Sequence, residues 1–386
     1  MLIEQLRLTN LLSFGPNSEP FDLRNLNVVI GPNGSGKSNL LEAIDLLRSA
    51  PDKLADPIRH GGGIRDWLWK GGKDTPVASV DAVLANPFGP TSLRYVLAFT
   101  EVAQRFGIDD ERLENDRPDA GDAEPYFYYR YRNGPVLNMR GNKRTLRWES
   151  TDTEQSILAL RRDPDLYPEI TYLAETLTKI RLYREWSFGR YTAARLPQKT
   201  DLPNDALESD GSNLGLVLNR LRRDPAIKAR VLDALKLLYE GIEDYDVQIE
   251  GGTVQVFLHE DGMTIPASRL SDGTLRYLCL LAILCHPNPP PLVCIEEPEL
   301  GLHPDILPTL ATLMREASEK CQIVVTTHSD VLVDAMTDTP EAVLVCEKHD
   351  GATRLRRLSA ADLQPWLERY RLGELWTRGE IGGTRW

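Results

Sequence analysis

Apolar positions along this chain change period several times, and the changes mark its elements. Residues 2–8 (LIEQLRL) and 26–30 (LNVVI) read as strands, the second an unbroken apolar run of the kind buried in a parallel sheet. GPNGSGKS follows at once. Leu40, Leu41, Ile44 and Leu47 then repeat at helical spacing until Pro51. Residues 77–149 read as mostly β. SLRYVLAFTEV and EPYFYYRYR are rich in β-branched and aromatic residues, and Asn133-Gly134 marks a hairpin before PVLNMR. Residues 105–124, dense in Asp, Glu, Gly and Pro, read as an exposed loop.

Residues 152–240 turn helical. Leu173, Leu177 and Ile180 share one face, as do Leu214, Val217, Leu218 and Leu221, and Val231, Leu235 and Leu238. Residues 245–268 return to β as a three-strand meander turning at Gly251-Gly252 and Asp261-Gly262. From 271 onward helix and strand alternate through LVCIEE, LPTLATLMREAS, QIVVTTHS and AVLVCEK, which predicts a parallel sheet covered by helices. The chain thus divides into a first lobe, 1–150, a helical insertion, 151–240, and a second lobe, 241–386.

Composition narrows the function classes. With 45 Lys+Arg against 57 Asp+Glu the net charge is −12, which excludes a protein coated in positive charge but leaves room for a local basic groove. No apolar run approaches the roughly 18–20 residues that span a bilayer, and MLIEQLRLTN lacks the apolar core of a secretion signal. A cytoplasmic protein without membrane attachment is expected. Cys279, Cys285, Cys294, Cys321 and Cys346 form no CxxC pair and read as reduced, buried thiols.

The chemistry begins at Gly31-Pro32-Asn33-Gly34-Ser35-Gly36-Lys37-Ser38, which fits GxxxxGK[ST] at every fixed position. Glycines let such a loop curl until its N–H groups converge on phosphates, and the next helix points its positive end at them. The nucleotide set is Asn33, Gly34, Gly36, Lys37, Ser38 and Asn39, with Lys37 on the β- and γ-phosphates and the Ser38 hydroxyl on Mg²⁺. ATP and Mg²⁺ are the expected ligands. Glu296 and Glu297 stand where the apolar strand LVCIEE runs out, and adjacent residues at a strand end point opposite ways. One can serve the metal and the other the attacking water.

Three further pieces carry a family resemblance. LSDGTLR at 270–276 resembles the signature motif of ABC-type ATPases, 25 residues before Glu296 counted from Ser271 (296 − 271). ELGLHP at 299–304 resembles their D-loop, and TTHS at 326–329 their H-loop, with His328 at its tip. The opening QLRLTNLLSFGP is similar to that of RecF, SMC and OLD proteins, and EEPELGLHP to the OLD/RecF-like ATPases of bacteria. The resemblance covers residues 1–60 and 245–346. It implies an α/β fold: a P-loop NTPase with an ABC-type (RecF/SMC-like) head, an N-terminal mixed β lobe, a helical insertion and a parallel-sheet C-terminal lobe.

It also implies roles. Two subunits would sandwich two ATP molecules head to tail, with Ser271 and Gly273 of one chain on the γ-phosphate held by Lys37 of the other. Glu297 would be the catalytic carboxylate, Glu296 would hold Mg²⁺, and His328 would contact the γ-phosphate or water. The chain departs from the family pattern at four places. Glu296 stands for the usual Asp, and no Gln lies between Gln5 and Gln104 to serve as the Q-loop residue, leaving His60 as a substitute or a plain loop residue. Leu12 replaces a common Arg, and His303 replaces an Asp in the D-loop.

The expected function is an ATP-driven homodimer that assembles with a separate effector, a nuclease-like protein of bacterial anti-phage defence. A RecF-like DNA-binding ATPase of repair, or a slowly hydrolysing assembly scaffold, are the alternatives. Nucleic acid stays open as a partner because basic residues cluster at 130–147 (Arg130, Arg132, Arg140, Lys143, Arg144, Arg147) and at Arg220, Arg222 and Arg223. The favoured reading of these clusters is a solvated face paired with acids. The tail, with Trp376, Arg378 and Trp386, reads equally as an interface or as a segment folded back on the head.

Overall fold

The structure, a computed structural model, describes residues 1–72, 74–131, 136–139, 142–145 and 154–383. Among these residues, six strands form the sheet that carries the chemistry. They lie in the order Arg181–Tyr183, Leu292–Glu296, Gln322–Thr326, Leu26–Ile30, Val343–His349 and Ala352–Arg357. The first five run parallel, and the last returns as an antiparallel hairpin. Successive residues of each strand face opposite cores. Val28, Ile30, Val293, Ile295, Ile323 and Val325 pack toward the helices Asp272–Leu284 and Leu307–Ser318. Val29, Leu292, Cys294 and Val324 pack toward the helix Lys37–Ser49.

That second core is closed by an antiparallel sheet. Its strands run in the order Phe21–Asp22, Ile3–Thr9, Ala78–Leu84, Leu93–Val102, Arg105–Asn115, Phe127–Arg130, Val136–Met139 and Asn142–Thr145. The helix Lys37–Ser49 lies between the two sheets because Leu40, Leu41, Ile44 and Leu47 are all apolar and fully buried. The meander forms as expected from Ile242–Glu250, Thr253–Glu260 and Met263–Pro266. The helices Leu214–Leu221 and Pro225–Lys236 pack against it through Val217, Leu218, Val231 and Leu235.

Two expectations need correction. Residues 105–115 are not loop but an eleven-residue strand, and only the polar stretch after it is irregular. Its acids misled because Glu111 is buried as a hydrogen-bond acceptor: Tyr95 Oη (2.7 Å), Ser156 Oγ and the Ile157 N–H (2.9 Å) all donate to it. The stretch read as helical, 151–240, also supplies the edge strand Arg181–Tyr183 of the parallel sheet, paired with Val293–Ile295. The Asn133-Gly134 hairpin, Arg132, Arg140, Arg147 and Trp386 lie outside the described residues. Arg130, from the same basic cluster, is paired with Glu114 (3.0 Å) and Glu124 (3.2 Å), and Arg222 with Asp246. The tail folds back, with Trp376 buried and its Nε1 donating to the Gly383 carbonyl at 3.0 Å. All five cysteines are buried free thiols.

Gln322 joins the two sheets. It is fully buried, and its Oε1 accepts from the N–H groups of Leu2 (3.2 Å) and Ile3 (2.9 Å). Its Nε2 donates to the carbonyls of Ile3 (2.7 Å) and Arg24 (3.1 Å). Every polar atom of the amide is used, so removing it strands the Leu2 and Ile3 N–H groups and the Ile3 carbonyl in an apolar setting, while the Arg24 carbonyl keeps its bond from Asn27 Nδ2 (2.6 Å). Gln322→Leu should therefore destabilise the fold by about 3 kcal/mol or more in urea unfolding. A loss under about 0.5 kcal/mol, the range of ordinary surface changes, would show that the amide does not fasten the sheets.

Candidate ATP site

Register places the site. Tyr183 is level with Ile295, Glu296 with Thr326, and Thr326 with Val29. The chain therefore leaves four parallel strands at one edge, through Arg184, Glu297, Thr327 and Gly31. The carboxyl edge of an open α/β sheet is where such folds bind ligands.

The phosphate loop is shaped by close approaches. At Gly36 (φ 114°) a β-carbon would lie 2.3 Å from Thr353 Oγ1 and 2.6 Å from Ser13 Oγ. Only glycine fits, and the hairpin strand beneath it holds the loop in place. Asn39 Nδ2 donates to Ser13 Oγ (2.7 Å), Thr353 Oγ1 bonds the same hydroxyl (2.7 Å), and Thr353 Oγ1 also donates to the Ser35 carbonyl (2.6 Å). Asn33 and Gly34 form the exposed tip. The helix Lys37–Ser49 opens without a capping side chain at Gly36, which leaves its positive end toward the loop. Lys37 is only 6% exposed, and its Nζ donates to the carbonyls of Gly31 (2.8 Å) and Pro32 (3.2 Å). Burial lowers its pKa below the ordinary lysine value, against the opposing pull of Glu297, Glu296 and Glu299.

The two adjacent glutamates part as their places at a strand end predict. Glu296 Oε1 accepts from Ser38 Oγ at 2.5 Å, and its Oε2 accepts from Arg184 Nε at 3.1 Å. Arg184 Nη2 reaches Glu42 at 3.3 Å. Burial works against the Arg184 charge, but the Glu296 and Glu42 carboxylates outweigh it and raise its pKa. Glu297 adopts φ 46°, a left-handed conformation that turns it away from the strand, and its Oε1 lies 3.5 Å from His328 Nε2. Glu299 shapes the turn beside it, accepting from Thr327 Oγ1 (2.7 Å) and from the His328 N–H (2.8 Å).

Lys37, Ser38, Glu296, Glu297 and His328 thus converge in one chain. Ser271 and Gly273 do not join them. Ser271 caps its own helix, accepting from the Thr274 N–H at 3.0 Å, and Gly273 packs so closely on the D-loop that a β-carbon would meet the Gly301 carbonyl at 2.4 Å. His60 is exposed at the end of a short helix, and His303 caps a turn, with Nδ1 3.2 Å from Asp305.

Three arginines were missed from the sequence. Besides Arg184, Arg276 stacks 5.5 Å over Trp186 and 5.4 Å over Phe188 and donates to the Glu297 carbonyl at 3.4 Å. Arg195 is buried, donates to the carbonyls of Phe188 (2.8 Å) and Leu270 (2.5 Å), and pairs with Asp272 of the signature. The alternating IRLY stretch before Arg184 was the one available signal, and it lay hidden among helical periodicities.

The donor set suits a nucleotide with a hard divalent cation. A buried ammonium, an uncapped helix start, and a hydroxyl 2.5 Å from a carboxylate oxygen meet at one point. Ser35 Oγ is buried in the loop without a protein partner. Among the described residues no group of three or more His, Cys, Asp and Glu is placed to hold a metal. A cation here would be of the Mg²⁺ kind, bound by one carboxylate, the hydroxyl and substrate phosphates.

Comparison with known proteins bears on the fold. No curated protein matches the chain in sequence. In fold it is similar to an SMC head bound to the C-winged helix domain of ScpA, at 16% identity and TM-score 0.55, over 94% of this chain and 99% of that one. It is also similar to the Smc head domain with an extended coiled coil bound to the C-terminal domain of ScpA from Pyrococcus furiosus, at 14% identity and TM-score 0.53, over 95% and 98%. The model of the family described as "AAA domain, putative AbiEii toxin, Type IV TA system" matches residues 26–334. The chain belongs to that family, and its fold is that of SMC head domains.

Proposed function

We propose that this chain binds ATP with Mg²⁺ and hydrolyses it in a head-to-tail homodimer, and that this cycle controls a separate protein effector in the cytoplasm. The observation that carries the reading is the meeting of Lys37, Ser38, Glu296, Glu297 and His328 at one sheet edge.

Lys37 and the loop N–H groups bind the phosphate chain, and Ser38 and Glu296 Oε1 hold the cation. Bound Mg²⁺ would neutralise charge on the β- and γ-phosphate oxygens. Glu297 accepts a hydrogen bond from the attacking water and aims it in line with the bond that breaks to release ADP. His328, 3.5 Å away, steadies that carboxylate and faces the γ-phosphate. Ser271 and Gly273 of the second copy complete the site from the opposite side. Their helix start is a second anion-binding end, which fits a γ-phosphate clamped between two positive helix termini. Hydrolysis removes the group that both copies grip, so the closed dimer loses its advantage.

Protein is favoured over nucleic acid as the next contact. The net charge is −12, and Arg130 and Arg222 are already paired with acids. Both of those SMC heads are bound to a domain of ScpA, a protein partner. A nuclease-like effector in anti-phage defence fits the OLD-like wording of the motifs, and the family description names a putative toxin system. No helix among the described residues is long and apolar enough to cross a membrane.

Two variants test the reading. Burying the Lys37 charge costs stability, so Lys37→Met should leave the nucleotide-free melting temperature unchanged or higher. The same variant should lose the stabilisation by Mg·ATP, about 2.7 kcal/mol for wild type at a hundredfold excess over Kd. A normal ATP-induced shift in Lys37→Met would sink the phosphate assignment. Glu297→Gln should cut turnover by about a hundredfold or more and accumulate a species of twice the monomer mass by light scattering in saturating ATP. A persistent monomer counts against the sandwich.

A further inference from the structure

We propose that Arg184 is a positioning residue that fixes the Glu296 carboxylate for the cation, so that removing it weakens Mg²⁺ binding without weakening nucleotide binding itself. The inference rests on the nucleotide reading above and adds a residue that no motif assigns.

The two oxygens of Glu296 have separate partners. Oε1 faces Ser38 at 2.5 Å, and Oε2 is held by Arg184 Nε at 3.1 Å. A glutamate has three rotatable side-chain bonds, and at a strand end its carboxylate sweeps a wide arc unless something holds it. Arg184 is suited to that task because its guanidinium is planar and presents donors along two edges. The Nε edge takes Glu296, and Nη2 takes Glu42 at 3.3 Å. Glu42 stands one turn after Ser38 on the phosphate-loop helix, so both lie on the same helix face. The fork therefore ties the edge strand Arg181–Tyr183, the strand Leu292–Glu296 and the helix Lys37–Ser49 at the point where the cation oxygens meet. Neighbouring acids do not compete for it: Glu297 faces His328, and Glu299 faces Thr327. Oε2 is the oxygen turned from Ser38, so Arg184 keeps its bond while Oε1 serves the cation. A side chain that holds a metal's carboxylate ligand in place commonly governs metal affinity.

The test follows binding of a fluorescent ATP analogue to the full chain while Mg²⁺ is titrated from an EDTA baseline. Arg184→Gln should raise the Mg²⁺ concentration for half-maximal change about tenfold, with EDTA-state binding altered by less than about twofold. Arg184→Lys, which keeps the charge but loses the fork, should fall between. If Arg184→Gln does not fold by circular dichroism, Arg184→Lys decides alone, with a half-point about threefold or more above wild type. In Glu296→Asp the shorter side chain cannot reach the arginine, so adding Arg184→Gln should move that variant's half-point by less than about twofold. An unmoved half-point in Arg184→Gln overturns the proposal. So does a lowered one, which would make Arg184 a counter-cation that Mg²⁺ displaces. Should wild type bind no nucleotide, or Lys37→Met bind it equally well, the nucleotide reading fails and the arginine's role falls with it. A nucleotide-binding wild type with an unmoved Arg184→Gln half-point sinks the arginine's role alone.

Discussion

The hydrogen bond from Ser38 to Glu296 joins residues 258 positions apart, and the strands that deliver them are not neighbours. Gln322–Thr326 lies between Leu26–Ile30 and Leu292–Glu296, so two strand registers must both be right before hydroxyl and carboxylate meet. A slip of one residue in either would move an oxygen by about 3.3 Å and turn its side chain to the other face. Apolar residues fill both faces of these strands, so the two cores bury the strands without singling out one register. Buried polar side chains do single it out. Asn27 Nδ2 donates to the Ile323 carbonyl at 3.1 Å, and the buried Gln322 amide fixes the middle strand against the first strand of the chain.

The site itself opposes folding. It gathers Glu42, Glu296, Glu297 and Glu299 around one edge and buries an ammonium among them. Glu297 sits in a left-handed backbone conformation that ordinary residues avoid at a cost of about 1 kcal/mol or more. Ser35 Oγ and Glu299 Oε2 are buried without a partner. Local rules are broken here together, while the strands around them obey alternation without exception. That contrast is what a ligand site built on a rigid scaffold should look like.

Much of this was legible in the sequence because it is carried by local pattern. The apolar run, the glycine loop and the helix after it sit together in 26–49, and periodicity places each. Strand alternation anticipated the parting of Glu296 and Glu297, but Glu297 lies just past the strand and owes its direction to a left-handed backbone. What escaped depends on partners distant in sequence. Residues 105–115 looked like loop because acids exposed in isolation look alike, and nothing local tells that Glu111 finds Tyr95 and Ser156 inside the lobe. Arg184 follows a three-residue strand, too short for a period to show, and its meaning depends on lying beside Leu292–Glu296.

The stretch between the lobes is therefore more than added length. Residues 181–195 start as the edge strand, place Arg184 on Glu296, and lay Trp186 and Phe188 under Arg276, which bonds the Glu297 carbonyl. They end at Arg195, which is buried against Leu270 and paired with Asp272 next to the helix cap Ser271. One short segment bears on both glutamates and on the start of the helix Asp272–Leu284, through its own Arg184 and Arg195 and through the rings it lays under Arg276. A shift at the Glu296 end must be absorbed within a dozen residues packed on aromatic rings, or passed on to the cap of the signature helix. Packed cores hold discrete arrangements better than graded ones. The segment thus connects the carboxylate edge of the parallel sheet to the start of the helix Asp272–Leu284.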